Sequence, residues 1–124
     1  MLKIIVDAMG GDNAPAEIVK GAVEALADRG DFKIILTGDE ALVRRELDKY
    51  SFDASRVELV PCSQVITNDD VPTSAVRSKR DSSLVVGLNI LKNDVSAGGF
   101  VSAGSTGAVL TGGIMFIGRI KGVM

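Results

Sequence analysis

Histidine is absent from this chain of 124 residues, tryptophan is absent too, there is one cysteine, and aromatic residues make up only 4%. The missing imidazole excludes Ser-His-Asp and Cys-His nucleophilic catalysis, and any His-ligated metal centre, from what these residues do alone. One thiol, Cys62, leaves no internal disulfide. So few rings and a formal net charge of −2 provide neither stacking platforms nor a positive field, so no nucleic-acid partner is expected. Long apolar runs are lacking as well. Ala108 to Ile117 is interrupted by Thr111 and two glycines and stops at Gly118-Arg119, short of a bilayer span. With no basic-then-apolar leader at its start, the chain is expected in the cytoplasm.

What is present is the make-up of a folded α/β domain: 46% hydrophobic residues, 24% charged, and 14 glycines gathered largely at Gly10-Gly11 and between Gly98 and Gly118. Leu2 to Ala8 reads as a strand. After Pro15, the residues Ile18, Val19, Ala22, Val23 and Leu26 fall on one face of a helix that Gly30 ends. Phe32 to Leu36 is a nearly continuous apolar run, as in a strand covered on both faces. Thr37-Gly38-Asp39 opens a helix over 40–49 with Val43 and Leu47 inward, and Val57 to Val60 is a third strand. Thr67-Asn68-Asp69-Asp70 reads as a turn and Pro72 to Arg80 as a short charged helix, in the stretch expected to be mobile or to face a substrate. Ser82 or Ser83 caps a helix carrying Leu84, Leu88 and Leu91, and Phe100 to Ala103 is a fourth strand before a final helix.

Alternating strands and helices at short intervals predict a three-layer αβα, Rossmann-like domain with a mostly parallel sheet, a single unit over 1–124. Ligands of such folds bind beyond the carboxyl ends of the strands, where both glycine turns fall. The final helix is apolar around most of its circumference and expects burial on more than one side. That predicts a partner or further chain to cover it.

Gly10-Gly11-Asp12-Asn13 follows a strand and precedes a helix, so glycine lets backbone amides approach an anion and the helix start adds positive potential. A tight turn capped by Asn13 is the plainer reading. Asp7 and Asp12 disfavour an anion unless they turn away or meet a cation. Gly104-Ser105-Thr106-Gly107 has the same mechanics and adds two hydroxyls, with a hydroxyl-capped helix start as its plainer reading. It matches neither the Walker pattern nor G-x-G-x-x-G, which disfavours a dehydrogenase. Arg77, Lys79 and Arg80 can grip phosphate, meet an acidic partner, or form a solvated face. Asp69 and Asp70 read as turn formers rather than metal ligands, and Cys62 as a small buried residue rather than a nucleophile.

Five blocks in order carry a resemblance: Asp7-Ala8-Met9-Gly10-Gly11-Asp12-Asn13-Ala14-Pro15, Thr37-Gly38-Asp39-Glu40, Val76-Arg77-Ser78-Lys79-Arg80-Asp81-Ser82-Ser83, Ser102-Ala103-Gly104-Ser105-Thr106-Gly107-Ala108 and Gly118-Arg119-Ile120-Lys121-Gly122. Together they resemble the PlsX-type phosphate acyltransferases of bacterial phospholipid synthesis. In that family the fourth block more often has Asn at the place of Ser105, an amide where this chain has a hydroxyl. The resemblance implies acyl transfer from acyl-acyl carrier protein to inorganic phosphate, without a cofactor or metal. It also implies a fold similar to phosphotransacetylases and to isocitrate and isopropylmalate dehydrogenases, in a homodimer peripheral to the inner face of the cell membrane. Family members are much longer, so the chain is expected to be the N-terminal portion, with the membrane-contacting segment beyond it.

On that reading Asn13, Ser105 and Thr106 serve catalysis, while Gly10, Gly11, Gly104, Gly107, Arg77, Lys79 and Arg80 bind phosphate or the oxyanion. Phosphate needs no strong base to act as a nucleophile, and a thiol of pKa about 8.5 is a fair leaving group, so the chemistry tolerates a chain without histidine. A phosphotransacetylase-like enzyme using acyl-coenzyme A, and a non-catalytic anion-binding module, are the alternatives.

Overall fold

The computed structural model describes residues 1–118. The chain runs β1 (Leu2–Asp7), α1 (Ala16–Asp28), β2 (Phe32–Gly38), α2 (Glu40–Leu47), β3 (Val57–Pro61), α3 (Pro72–Ser78), α4 (Ser83–Asn93), β4 (Ala97–Val101) and α5 (Thr106–Gly112), with a π-helical turn over Gly113–Ile117. Every strand pairing is parallel, in the order β3-β2-β1-β4. Residues 119–124, which include most of the Gly118-Arg119-Ile120-Lys121-Gly122 block, lie outside the described residues.

Alternation along the strands divides two cores. Val6 and Ala8 of the β1 end, with Ile34 and Leu36 of β2, pack against Val19, Ala22, Val23 and Leu26 of α1 and Val43 and Leu47 of α2. Ile5 and Ile35 point to the opposite face, which α4 covers. There Gly87 of α4 lets Ile5 and Phe100 approach so closely that a Cβ would stand 2.5 Å from the Phe100 ring. The second core joins Ile66, Ala75, Val76, Leu84, Val85, Leu88 and Ala108, tying α3, α4 and α5 together. Burying each of the larger aliphatic side chains contributes about 1.5–3 kcal/mol, and Ile5, Leu36, Leu84, Val19 and Val43 are all under 2% exposed. This is the expected three-layer, Rossmann-like arrangement with a parallel sheet.

Local chemistry sets the helix starts. Asp39 Oδ1 accepts the Leu42 N–H at 3.1 Å at the head of α2, and Ser82 Oγ accepts the Val85 N–H at 3.2 Å at the head of α4. Each satisfies one donor that the first helical turn leaves open. α1 starts differently: its cap is Pro15, with no side-chain capping bond, and Asn13 contributes only its carbonyl, which accepts the Glu17 N–H at 3.1 Å.

The fourth strand begins earlier than its sequence predicts, at Ala97 rather than Phe100, and ends at Val101. Gly98 and Gly99 carry no strand signal of their own, but the free edge of β1 pairs with Ala97 through Lys3 and with Gly99 through Ile4, and Gly98 is the unpaired residue at the register shift between them. The final helix is uncovered on one side, where its sequence calls for a partner or further chain. Ala108 and Gly112 are buried against α3 and α4, whereas Leu110 is 63% and Ile114 50% exposed, because no described element lies over that face.

The stretch from 61 to 83 is tied back to the sheet. Cys62 N–H donates to the Gly38 carbonyl at 2.8 Å and Thr37 Oγ1, fully buried, donates to the Ser83 carbonyl at 2.8 Å. Gln64 bridges to Ser82, and the Asp81 carboxylate accepts both the N–H and the hydroxyl of Ser63.

Candidate functional site

The chain leaves β1 toward β2 and β3 on one side of the sheet, then returns to place β4 on the other. Successive connections therefore diverge between β1 and β4, and a crevice opens beyond their carboxyl ends. Both glycine turns lie there. Gly11 has φ +94°, a left-handed conformation that side chains other than glycine resist. A Cβ on Gly10 would stand 2.8 Å from the Gly104 nitrogen and 2.9 Å from Ser102 Oγ, so the two turns meet backbone to backbone.

Beneath them lies Asp7, 2% exposed. Its Oδ1 accepts the Met9 N–H at 3.0 Å and its Oδ2 accepts the Ser102 hydroxyl at 2.9 Å. Ser102 Oγ in turn accepts the Gly104 N–H at 3.1 Å. The Asp7 carboxylate is thus engaged by Met9 and Ser102, whereas Asp12 lines the crevice with no cation paired to it among the described residues.

The crevice forms a cleft of about 360 Å³, walled by Met9, Gly11 and Asp12 on one side, Gly104 and Ser105 on another, and the loop Val65 to Asp69 opposite. Among the described residues, the backbone N–H groups of Gly11, Asp12, Asn13, Ser105, Thr106 and Gly107 have no acceptor of the protein in hydrogen-bond range. Open amides beside glycine turns are the means by which such loops hold phosphate or an oxyanion. A wider groove of about 710 Å³ runs between α4 and the sheet, lined by Lys3, Ile35, Glu58, Val60 and Asp94 among others, and includes neither glycine turn.

The expected site residues divide into three groups. Gly11, Gly104 and Ser105 line the cleft, and Gly10 packs against Gly104 at its base. Ser105 is 7% exposed and its Oγ accepts the Ala108 N–H at 3.2 Å, so its hydroxyl oxygen caps α5 while its proton remains free to donate. Asn13 and Thr106 are exposed and do not wall the cleft, and Gly107 instead receives Pro72, whose Cγ lies 2.7 Å from where a Cβ would be.

The three cations do not converge on the cleft. Lys79 Nζ donates to Asp70 Oδ2 and to the Val65 carbonyl, both at 2.9 Å, bracing the loop opposite the glycine turns from behind. Arg80 donates to the Arg77 carbonyl and stands over the Phe116 ring, 5.3 Å from its centroid. Arg77 is exposed, with no side-chain partner among the described residues. Asp70 closes its own turn: the Thr67 N–H and the Lys79 ammonium hold its carboxyl below the usual range. Cys62 is buried, and that burial, with Asp81 nearby, pushes its thiol up to about 11, far from a nucleophile's range.

Sequence reasoning did not assign Asp7 and Ser102 to the site, nor Val65 to Asp69 as its wall. Asp7 carries a signal of its own: a carboxylate directly after five apolar or aliphatic-stemmed strand residues is an expensive thing to bury without a role. The loop lies in the stretch expected to be mobile or to face a substrate, but its place opposite the glycines depends on the return from β3.

A sequence model of the family described as "Fatty acid synthesis protein" matches residues 2–124. Relatives named "Phosphate acyltransferase" include those of Halothermothrix orenii, 47% identical over 122 residues, and Alkaliphilus oremlandii, 49% identical over 122 residues, each match covering 98% of this chain and 36% of the relative. The relative of the same name from Clostridioides difficile is 47% identical over 98% of this chain and 35% of its own length. The chain therefore spans about a third of the length of the curated relatives it matches. With the match running along nearly the whole sequence, the chain belongs to this family of fatty acid synthesis proteins, the PlsX-type phosphate acyltransferases.

Proposed function

We propose that the protein transfers a fatty acyl group from acyl-acyl carrier protein to inorganic phosphate, yielding the acyl phosphate used in phospholipid synthesis, and that these residues form the N-terminal, anion-holding portion of a longer enzyme. The family membership supports acyl transfer to phosphate. The observation that carries the assignment to this cleft is the meeting of two glycine turns, with open backbone amides at the lining residues Gly11, Asp12 and Ser105, at the divergence of β1 and β4. A homodimer and a peripheral contact with the inner face of the membrane, through residues beyond this match, complete the reading.

In the reaction, a phosphate oxygen attacks the thioester carbonyl carbon, the C–S bond breaks, and the thiolate leaves with the electron pair to be protonated by solvent. The nucleophile arrives charged, so the protein's task is to hold phosphate in reacting distance of the neutral thioester carbonyl and to supply donors to the tetrahedral oxyanion, which makes two anions to be held. Gly10, Gly11 and Asn13 hold one of them. Ser105, Thr106 and Gly107 hold the other, because Gly104 already gives its N–H to Ser102. Arg77 and Arg80, exposed and away from the cleft, meet the acidic surface of the carrier protein, and Lys79 keeps the opposing loop in place.

The deciding experiment follows radiolabelled phosphate into acyl phosphate with full-length protein, offering acyl-carrier protein and acyl-coenzyme A thioesters in competition. Preferential use of the carrier-protein thioester is expected. Equal use of both would replace the carrier-protein assignment with a phosphotransacetylase-like activity, and labelling from neither would leave an anion-binding module.

A further inference from the structure

We infer that Asp7 and Ser102 are positioning residues that clamp the two glycine turns together and so fix the geometry of the anion cleft, although neither touches the bound anion. The last paired residues of β1 and β4 are Val6 and Val101. Beyond them the two turns run on without a ladder. The only side-chain hydrogen bond joining the turns among the described residues is Ser102 Oγ to Asp7 Oδ2, at 2.9 Å.

Three features make this bond a clamp rather than an incidental contact. Asp7 engages both turns at once, holding Met9 N–H with one oxygen and Ser102 with the other. Because the Ser102 proton points to Asp7, a lone pair on the same oxygen is left for the Gly104 N–H, which fixes the start of the second turn. Gly10 leaves the space the triad needs: a Cβ there would stand 2.8 Å from Gly104 N, 2.9 Å from Ser102 Oγ and 3.1 Å from Asp7 Oδ2. Asp7, at the centre of this chain of bonds, is 2% exposed, and Ser102 and Gly104 are half-buried. Hydrogen bonds are electrostatically stronger in such surroundings and errors of geometry are felt more.

A clamp of this kind acts through position. It takes Met9 and Gly104 out of the set of donors open to a ligand and leaves the neighbouring amides at 11–13 and 105–107 facing outward. Displacement of one turn by about 1 Å is enough to cost on the order of 10²-fold in rate where two reactants must be held together. The kinetic half of this inference rests on the acyl-transfer reading; the structural half does not.

The test compares Ser102→Ala, Ser102→Thr and Asp7→Asn in the full-length protein by peptide-resolved amide hydrogen exchange and by steady-state kinetics. In Ser102→Ala, exchange across 102–108 should accelerate and kcat should fall at least tenfold while KM for the acyl thioester stays within about twofold; Ser102→Thr, which keeps the hydroxyl, should recover kcat to within about threefold of wild type. Asp7→Asn should give the same acceleration as Ser102→Ala. Unchanged exchange in Ser102→Ala, a kcat held within twofold, or a Thr variant as slow as the Ala variant would each overturn the clamp. A wild-type protein that forms no acyl phosphate sinks the acyl-transfer reading instead, and exchange alone then decides the clamp.

Discussion

Lys79 reaches back nine positions to Asp70, Nζ to Oδ2 at 2.9 Å, and with the same ammonium grips the carbonyl of Val65. One side chain thereby closes both ends of the loop that faces the glycine turns. Removing the charge while keeping the stem, as in Lys79→Met, should loosen Val65 to Asp70 and weaken phosphate binding by geometry. Faster amide exchange in that loop, with a salt dependence of phosphate binding unchanged from wild type, is the expected result. A loss of salt dependence would show that Lys79 contacts the anion directly.

Asn13 makes no capping bond and leaves its side-chain amide exposed beside the first turn. If it supplies a donor in the transition state, Asn13→Ala should lower acyl-phosphate formation by about 10²-fold, the usual scale for such a donor. Activity within twofold of wild type would remove Asn13 from the catalytic set.

Two glycines make opposite predictions. Gly10→Ala drives a methyl into Gly104 N and Ser102 Oγ and should cost about 1–3 kcal/mol as overpacking. Gly21 lies within α1, exposed, with nothing within 4 Å of where a Cβ would stand, so Gly21→Ala should stabilise by about 0.5–1 kcal/mol. Urea denaturation of both variants reads the two signs.

With its thiol pushed up to about 11 by burial, Cys62 should react with iodoacetamide at pH 8 roughly 10²-fold more slowly than a free thiol. Cys62→Ala should retain acyl transfer. Rapid labelling of the native protein would place the thiol in a different environment from the one described.

Asp94 is held down to about 2 by the hydroxyl and N–H of Ser96 and by the Lys3 ammonium. Its unfolded-state value lies near 3.9, so below that pH the unfolded chain binds a proton that the folded one refuses. The stabilisation is full above about pH 4 and is lost as pH falls toward 2. Urea midpoints for wild type should drop across that window, and Asp94→Asn should flatten the drop.

The elements that the sequence made legible are those whose local pattern and tertiary role agree. α1 shows its buried face as Val19, Ala22, Val23 and Leu26, and the end of β1 announces itself by two glycines. β4 was legible only from Phe100 onward, since Ala97 and Gly99 take strand geometry from pairing with β1 on either side of the unpaired Gly98 rather than from their own preference. The glycine turns could be paired from the rule that α/β folds bind ligands at strand ends. What Lys79 does could not be read, because three clustered cations look alike in sequence and only the folded loop distinguishes the one bound to Asp70. Asp7 was legible as a problem but not as an answer: its partner, Ser102, stands 95 positions away.

That separation bears on when the protein becomes competent. β2 and β3 can add to β1 as they emerge, each closing a modest loop, but β4 must return across the whole intervening chain to take its place on the opposite edge. Until it does, the first glycine turn has neither its backbone neighbour nor the hydroxyl that holds Asp7. Among the described residues the cleft is therefore one of the last features to form, and a nascent chain whose Ser102 is still inside the ribosome lacks one of its walls.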